Sequence, residues 1–159
     1  PEITAGIAVT NNGVARASAS GNAESSLRRQ PIGGGGNTTP SWRWPHSGEL
    51  LQLYGQAGNK GLDIGGGVGD PVFAASDGEV VYAGIGVQGA GNLVILRHND
   101  RFLSAYAHNQ TLLVQEGARV VAGQQIAELG RDGAGEPKLH FEIRLAGQSV
   151  DPREYLPAR

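Results

Sequence analysis

The sequence predicts an all-β protein, an antiparallel β-sandwich or open barrel with a groove on its surface. Three observations carry this. Apolar residues come in short runs broken by turn residues, with little helical periodicity. Glycine supplies 26 of the 159 residues, roughly double the usual ~7%, which suits many tight turns and bulges. A hairpin signal, Asn99-Asp100, lies between two strand-like runs.

Taken in order from Ser41, Val80-Val81-Tyr82 follow the turn Ser76-Asp77-Gly78. Leu93–Leu96 is joined across Asn99-Asp100 to Phe102–Tyr106. Val120-Val121 lead through Ala122-Gly123 into Gln125–Leu129, and Leu139–Leu145 is the last strong run. Short strands with turns at close intervals belong to antiparallel architectures.

Composition shifts near residue 40. Residues 1–40 end in Gly33-Gly34-Gly35-Gly36-Asn37-Thr38-Thr39-Pro40, a flexible-linker composition, and the arm carries a net +1 against −3 for residues 41–159. Its small, scattered apolar residues cannot offset its ordering entropy alone, so the folded domain is expected over 41–159. The whole chain, with 13 Lys+Arg and 15 Asp+Glu, has no field to gather a polyanion, so nucleic acid is not an expected partner. No apolar run is long enough to span a membrane. Without cysteine there is no disulfide, thiolate metal site or thiol nucleophile. With no methionine and Pro1 first, a processed fragment is expected, its signal or lipid anchor lying upstream.

Strand alternation puts residues i and i+2 on one face. With Leu62 and Ile64 inward, Asn59, Gly61 and Asp63 face the other way. With Phe141 and Ile143 inward, Lys138, His140, Glu142 and Arg144 share the opposite face. In Ser104–His108 the alanines fall on one side and Ser104, Tyr106 and His108 on the other. Where these three polar faces meet, they line a groove floored by sheet.

These segments carry a resemblance. Asn59–Ile64, Gly78–Gly84, Tyr106-Ala107-His108 and Leu139–Arg144 together resemble a LytM domain, the lysostaphin type of zinc endopeptidase, over residues 44–157. The resemblance implies the fold and a site in which His-x-x-x-Asp and a late His-x-His hold zinc. Here Asp63 and His140 sit at ligand positions and His108 at a catalytic position, but Asn59 stands at the first ligand position and Lys138 at the first histidine of His-x-His. Catalytic zinc ordinarily takes three protein donors and a water. A neutral amide is a poor substitute for imidazole, and a fixed ammonium repels the cation. The site is therefore expected to be vestigial, with no zinc, no other cofactor and no hydrolysis.

A narrower resemblance, to the NlpD-type murein hydrolase activators, rests on Asn59–Ile64, Arg97–Asp100, Ser104–Asn109, Leu139–Arg144 and Val150–Pro157. It implies a non-catalytic activator of a zinc-dependent N-acetylmuramoyl-L-alanine amidase in daughter-cell separation. It also implies a periplasmic site of action, tethered to the outer membrane, with peptidoglycan as a second candidate ligand. The expected partner groove comprises Asn59, Lys60, Asp63, Tyr106, His108, Lys138, His140, Glu142 and Arg144, with Lys60, Lys138 and Arg144 suited to a carboxylate-bearing segment.

Other readings stand beside this one. His140 and Asp63 suit a simple hydrogen-bonded pair better than a two-donor metal site. His108 suits a strand end or a partner contact, His98 a hairpin turn and His46 the surface. Gly65-Gly66-Gly67 and Asp132-Gly133-Ala134-Gly135 lack the Gly-Lys-Ser/Thr of a phosphate loop and read as groove rims. Trp42 and Trp44 suit the domain edge or an interface. The rival functions are an endopeptidase with an altered ligand set, a cell-wall binder, and a lipoyl-type carrier. The carrier needs a lysine at a hairpin tip, and Lys60 and Lys138, the only lysines, lie elsewhere.

Overall fold

The computed structural model describes residues 39–159. The arm expected over 1–40 lies, but for its last two residues, outside the described residues. Ten strands form one antiparallel sheet: β1 (Leu50–Gln52), β2 (Leu62–Gly65), β3 (Pro71–Phe73), β4 (Gly78–Ile85), β5 (Asn92–Arg97), β6 (Phe102–Leu112), β7 (Arg119–Val120), β8 (Gln125–Leu129), β9 (Lys138–Leu145) and β10 (Gln148–Val150). The main path runs β1-β2-β9-β6-β5-β4-β7, with β10 on β9 and β8 bridging β6 to β3. The path does not close on itself, and the described residues contain no α-helix. This is the all-β, lysostaphin-like architecture that the strand pattern and the resemblance imply.

The centre of the sheet follows from alternation. In β9, Leu139, Phe141 and Ile143 are fully buried in the main core with Leu62 and Ile64 of β2. The register sets Leu62 opposite Phe141 and Asp63 opposite His140. Opposed residues share a face, so Asp63 and His140 meet on the side away from that core. Gly61 permits this approach, because a Cβ there would lie 2.2 Å from the Phe141 carbonyl oxygen.

Strand β6 departs from the expected faces. Tyr106 pairs with Phe141, whereas Ala105 pairs with Glu142 and Ala107 with His140. The alanines therefore lie on the site face, and Tyr106 enters the core with no exposed surface. Its hydroxyl accepts from the Ala75 amide at 2.9 Å and contacts the Ser104 hydroxyl at 2.7 Å. Burial, offset only partly by these bonds, raises its pKa. Tyr106 is a core residue and not part of the groove.

A bulge then re-aims the strand. Between β5 and β6, Val94 opposes Tyr106 but Asn92 opposes Asn109, three steps on one strand against two on the other. His108 takes up the extra residue in the left-handed region, at φ 73°. The side chain of Asn109 pins the bulge by donating to the carbonyls of Asn92 (3.0 Å) and Tyr106 (2.9 Å). The displacement brings His108 back to the site face, as bulges beside functional sites do.

Two other expectations change. His98 is buried beneath its turn, where Nδ1 meets the Asp77 carbonyl at 2.6 Å and Nε2 meets Ser104 Oγ at 2.7 Å. A carbonyl only accepts, so Nδ1 carries the proton and Nε2 accepts from Ser104, which in turn accepts from Tyr106. Burial, against the opposing Asp77 carbonyl, lowers the His98 pKa to about 4. His46 is buried rather than on the surface. It accepts from the Gly48 amide and lies 2.9 Å from Asp70, whose carboxylate also takes the Gly67 amide. Gly66 and Gly67 thus lie at this contact, and Gly65 packs beside Leu51, so none of the three lines the cavity described below. Trp42 packs edge-on against His98, Phe102 and Tyr155, while Trp44 donates to the Pro157 carbonyl.

Candidate functional site

The site is a cavity of about 520 Å³ on the face of β2 and β9 away from the main core. Asn59, Asp63, His108, Lys138 and His140 line it, so five of the nine expected groove residues converge. Gln52 of β1, Ala57, Gln88 and Gly89 of the β4–β5 turn, and Asp132, Gly133 and Ala134 complete the wall. Of the rim expected at Asp132–Gly135, the first three residues line the cavity.

A chain of charges alternating in sign runs along the floor. Lys138 Nζ lies 3.3 Å from Asp132 Oδ2 and 3.0 Å from Asp63 Oδ2. Asp63 Oδ1 holds His140 Nδ1 at 2.7 Å. His140 Nε2 meets Glu142 Oε2 at 2.8 Å, and the Arg144 guanidinium donates through Nε and a terminal nitrogen to Glu142 Oε1, each at 3.0 Å. Asp132 is fixed by its own loop, its Oδ1 accepting from the amides of Ala134 and Glu136.

The protonation states follow from these contacts. Burial alone pushes His140 towards neutrality, but hydrogen bonds and charge from Asp63 and Glu142 outweigh it and raise its pKa to about 9. His140 is therefore an imidazolium at neutral pH. Burial also penalises the Asp63 carboxylate, yet His140 and then Lys138 hold it below the usual carboxylate range. Lys138 is destabilised by burial and more than compensated by Asp63 and Asp132, which raise its pKa. His108 lies 6.3 Å from His140 between ring centroids. Burial first, then the positive charge of His140, lowers its pKa to about 4. Its Nδ1 is buried without a hydrogen-bond partner.

This geometry corrects the expected groove in four places. Tyr106 lies in the core, as described above. Glu142 has no exposed surface and sits beneath His140 instead of lining the cavity. Arg144 is buried against Glu142, because β9 is not an edge there: Leu103 of β6 stands opposite it on one side and Ser149 of β10 on the other. Lys60 is exposed but outside the cavity wall. The picture of three cations awaiting a carboxylate fails for Lys138 and Arg144, each of which already faces a carboxylate of this chain. Asp132, in contrast, is a participant that the sequence offered only as a loop residue. Its place six residues before Lys138, at the start of Asp-Gly-Ala-Gly, was the available signal.

Residues 57–152 match the sequence model of peptidase family M23. The chain belongs to that family. It is 52% identical over 121 residues to the murein hydrolase activator NlpD of Escherichia coli K12, covering 75% of this chain and 32% of that protein. It is 53% identical over 126 residues to the lipoprotein NlpD/LppB homolog of Pseudomonas aeruginosa, covering 78% and 42%. With the outer membrane antigenic lipoprotein B of Haemophilus influenzae it shares 53% over 118 residues, covering 73% and 29%. The chain thus spans less than half the length of these curated relatives. Among solved structures, a putative peptidase M23 from Pseudomonas aeruginosa superposes with a TM-score of 0.68 at 25% identity, covering 77% of this chain and 52% of the other. Lysostaphin from Staphylococcus simulans gives 0.66 at 30%, covering 74% and 54%, and a zinc containing peptidase from Vibrio cholerae gives 0.61 at 27%, covering 70% and 39%.

The last of these raises the question of zinc, and the donor set of this M23 domain does not fit it. Both ring nitrogens of His140 face carboxylates of this chain, Nδ1 Asp63 and Nε2 Glu142. One oxygen of Asp63 faces His140 and the other the Lys138 ammonium. Asn59 turns its amide nitrogen, which donates and does not ligate, towards Asp63 at 3.5 Å and the Gln52 carbonyl at 3.4 Å. Among the described residues no three His, Cys, Asp or Glu side chains form a group suited to a metal ion.

Proposed function

We propose that this M23 domain is a non-catalytic activator of an N-acetylmuramoyl-L-alanine amidase, acting in peptidoglycan splitting during daughter-cell separation. The observation that carries the reading is the internally neutralised floor, in which Asp63, Lys138, His140 and Glu142 are already committed to one another. Such a floor offers neither Lewis acid nor free general base, and zinc is absent from the working domain. The relatives named as murein hydrolase activators support the same reading, and those named as lipoproteins support action at the cell envelope; the place we assign to it is the periplasmic side of the outer membrane.

The cavity is then a docking site. With the floor neutralised, a partner segment is gripped by the neutral wall, Gln52, Gln88, His108 and the loop at Gly133-Ala134, and not by bare cations. The amidase is held closed by a blocking segment and opens rarely; the domain binds the open form. Moving that balance from 1:99 to 99:1 takes about 5.5 kcal/mol of differential binding, within reach of a few well-packed anchors.

Dye release from labelled peptidoglycan tests this, with candidate amidases alone, the domain alone and the two together. Stimulation only in the mixture is expected. Ala134→Trp places a large ring at an exposed loop position that lines the cavity. It should abolish stimulation and leave the melting temperature unchanged. Full stimulation by that variant would refute the docking site, and dye release by the domain alone would refute the non-catalytic reading.

A further inference from the structure

We propose that the Lys138 ammonium is a built-in substitute for a metal ion: it neutralises the site's carboxylates and ties together the segments that carry them. This role rests on the non-catalytic reading only in taking the native site as metal-free. Lys138 Nζ reaches Asp63 Oδ2 of β2 at 3.0 Å, Asp132 Oδ2 of the preceding loop at 3.3 Å and Glu136 Oε1 at 3.9 Å. Three carboxylates from two separate parts of the chain thus converge on one cation, itself borne by β9. Without it, Asp63 and Asp132 would face each other across a partly desolvated space, and like charges so placed repel. A bound cation would resolve that conflict in an ordinary metal site. Here a tethered charge resolves it and cannot be chelated away.

The substitution keeps the structural half of a metal's work and drops the chemical half. Asp132, Lys138, Asp63, His140, Glu142 and Arg144 form one unbroken run of contacts in which each carboxylate faces a basic side chain. The His140–Glu142 contact is also the arrangement in which a carboxylate steadies a metal-binding imidazole from behind. The frame of a metal site therefore persists with an ammonium at its centre. An ammonium only donates hydrogen bonds; it has no open coordination position at which to activate water.

The test compares zinc binding, by competition with a chromophoric chelator, in the wild type, Asn59→His, Lys138→Met and the Asn59→His/Lys138→Met double variant. Melting curves are recorded with and without zinc. Asn59→His supplies a third donor but keeps the ammonium, so it and the wild type should show no zinc-dependent rise in melting temperature. The double variant should bind one equivalent at least ~10-fold more tightly than Asn59→His, the scale on which groups flanking a metal are felt, and its melting temperature should rise with zinc. Equal affinity of Asn59→His and the double variant would overturn the proposal. So would zinc binding by the wild type that Asp63→Asn removes. If Lys138→Met does not fold without metal, Lys138→Arg decides: restored charge should restore folding with no response to zinc, and failure to do so would overturn the role. Amidase stimulation by the wild type is scored separately, so the activator reading can fail while the zinc comparison stands, and the reverse.

Discussion

The charged floor and the buried His98 together make stability depend on pH with a peak near pH 6.5. His140 has its pKa raised from 6.5 to about 9 in the folded chain. Between those values the unfolded chain releases a proton that the folded chain keeps, so stability is fully present below pH 6.5 and declines as pH rises through 9. One proton corresponds to about 1.4 kcal/mol per pH unit, hence about 3 kcal/mol over the window. His98 has the opposite sign. Its pKa is lowered from 6.5 to about 4, so the unfolded chain takes up a proton first as pH falls, and about 3 kcal/mol is lost towards pH 4. His108, lowered in the same direction, steepens that acid limb. Against a typical total of ~5–15 kcal/mol these are large fractions. The assay is urea unfolding followed by the fluorescence of Trp42 and Trp44 from pH 4.5 to 9.5, on the wild type and His140→Gln. The variant should lose the alkaline decline and keep the acid one. Stability that is flat or rising between pH 6.5 and 9 in the wild type, or an unchanged alkaline slope in His140→Gln, would refute the assignment of an imidazolium between Asp63 and Glu142.

Three further outcomes follow from the same contacts. Arg144→Ala leaves the fully buried Glu142 without its guanidinium and should cost roughly 3–5 kcal/mol in urea unfolding; a loss of amidase stimulation in this variant therefore reports on folding before it reports on docking. Tyr106→Phe removes the acceptor of the Ala75 amide and the donor to Ser104, and should lower stability by about 1–3 kcal/mol with the cavity unchanged by crystallography. Gly130→Ala would put a Cβ 2.6 Å from the His108 carbonyl oxygen and the Gln110 amide nitrogen; the bulge must shift, which should appear as a moved His108 ring resonance and about 1–3 kcal/mol of lost stability.

Alternation made β2 and β9 legible, because their inward residues are large and apolar and their outward ones charged. It failed on β6, where Ser104 and Tyr106 look polar beside two alanines. The deciding facts there are long-range. The alanines stand opposite His140 and Glu142, where two charged side chains need space, and the Tyr106 hydroxyl finds the Ala75 amide 31 residues away. The bulge at His108 repaired part of the error by turning that side chain back to the site. His and Asn are among the non-glycine residues enriched at positive φ, so His108-Asn109 carried a weak signal for it. The pairing of Arg144 with Glu142 was written in an i, i+2 spacing, but burial of that face depends on neighbours that only the sheet order supplies. Asp132 was hidden for a related reason, since a loop closing on Lys138 is set by hydrogen bonds within the turn.

The division of labour between the two faces of β9 separates the packing that sets the shape of the fold from the charges that set its site. Leu139, Phe141 and Ile143 hold the main core, while Lys138, His140, Glu142 and Arg144 form the other face. A change at a site-face position leaves the apolar core contacts untouched, so its effect on stability is decided almost wholly by charge balance. On the reading proposed above, the ammonium at position 138 satisfies that condition, because Asp63 and Asp132 both face it. Replacing it by a neutral residue would not, unless a cation came from solution. On the proposal above, the frame takes one of two occupants at its centre, a lysine carried by the chain or a metal taken from outside, and the first should exclude the second through the carboxylates it already faces.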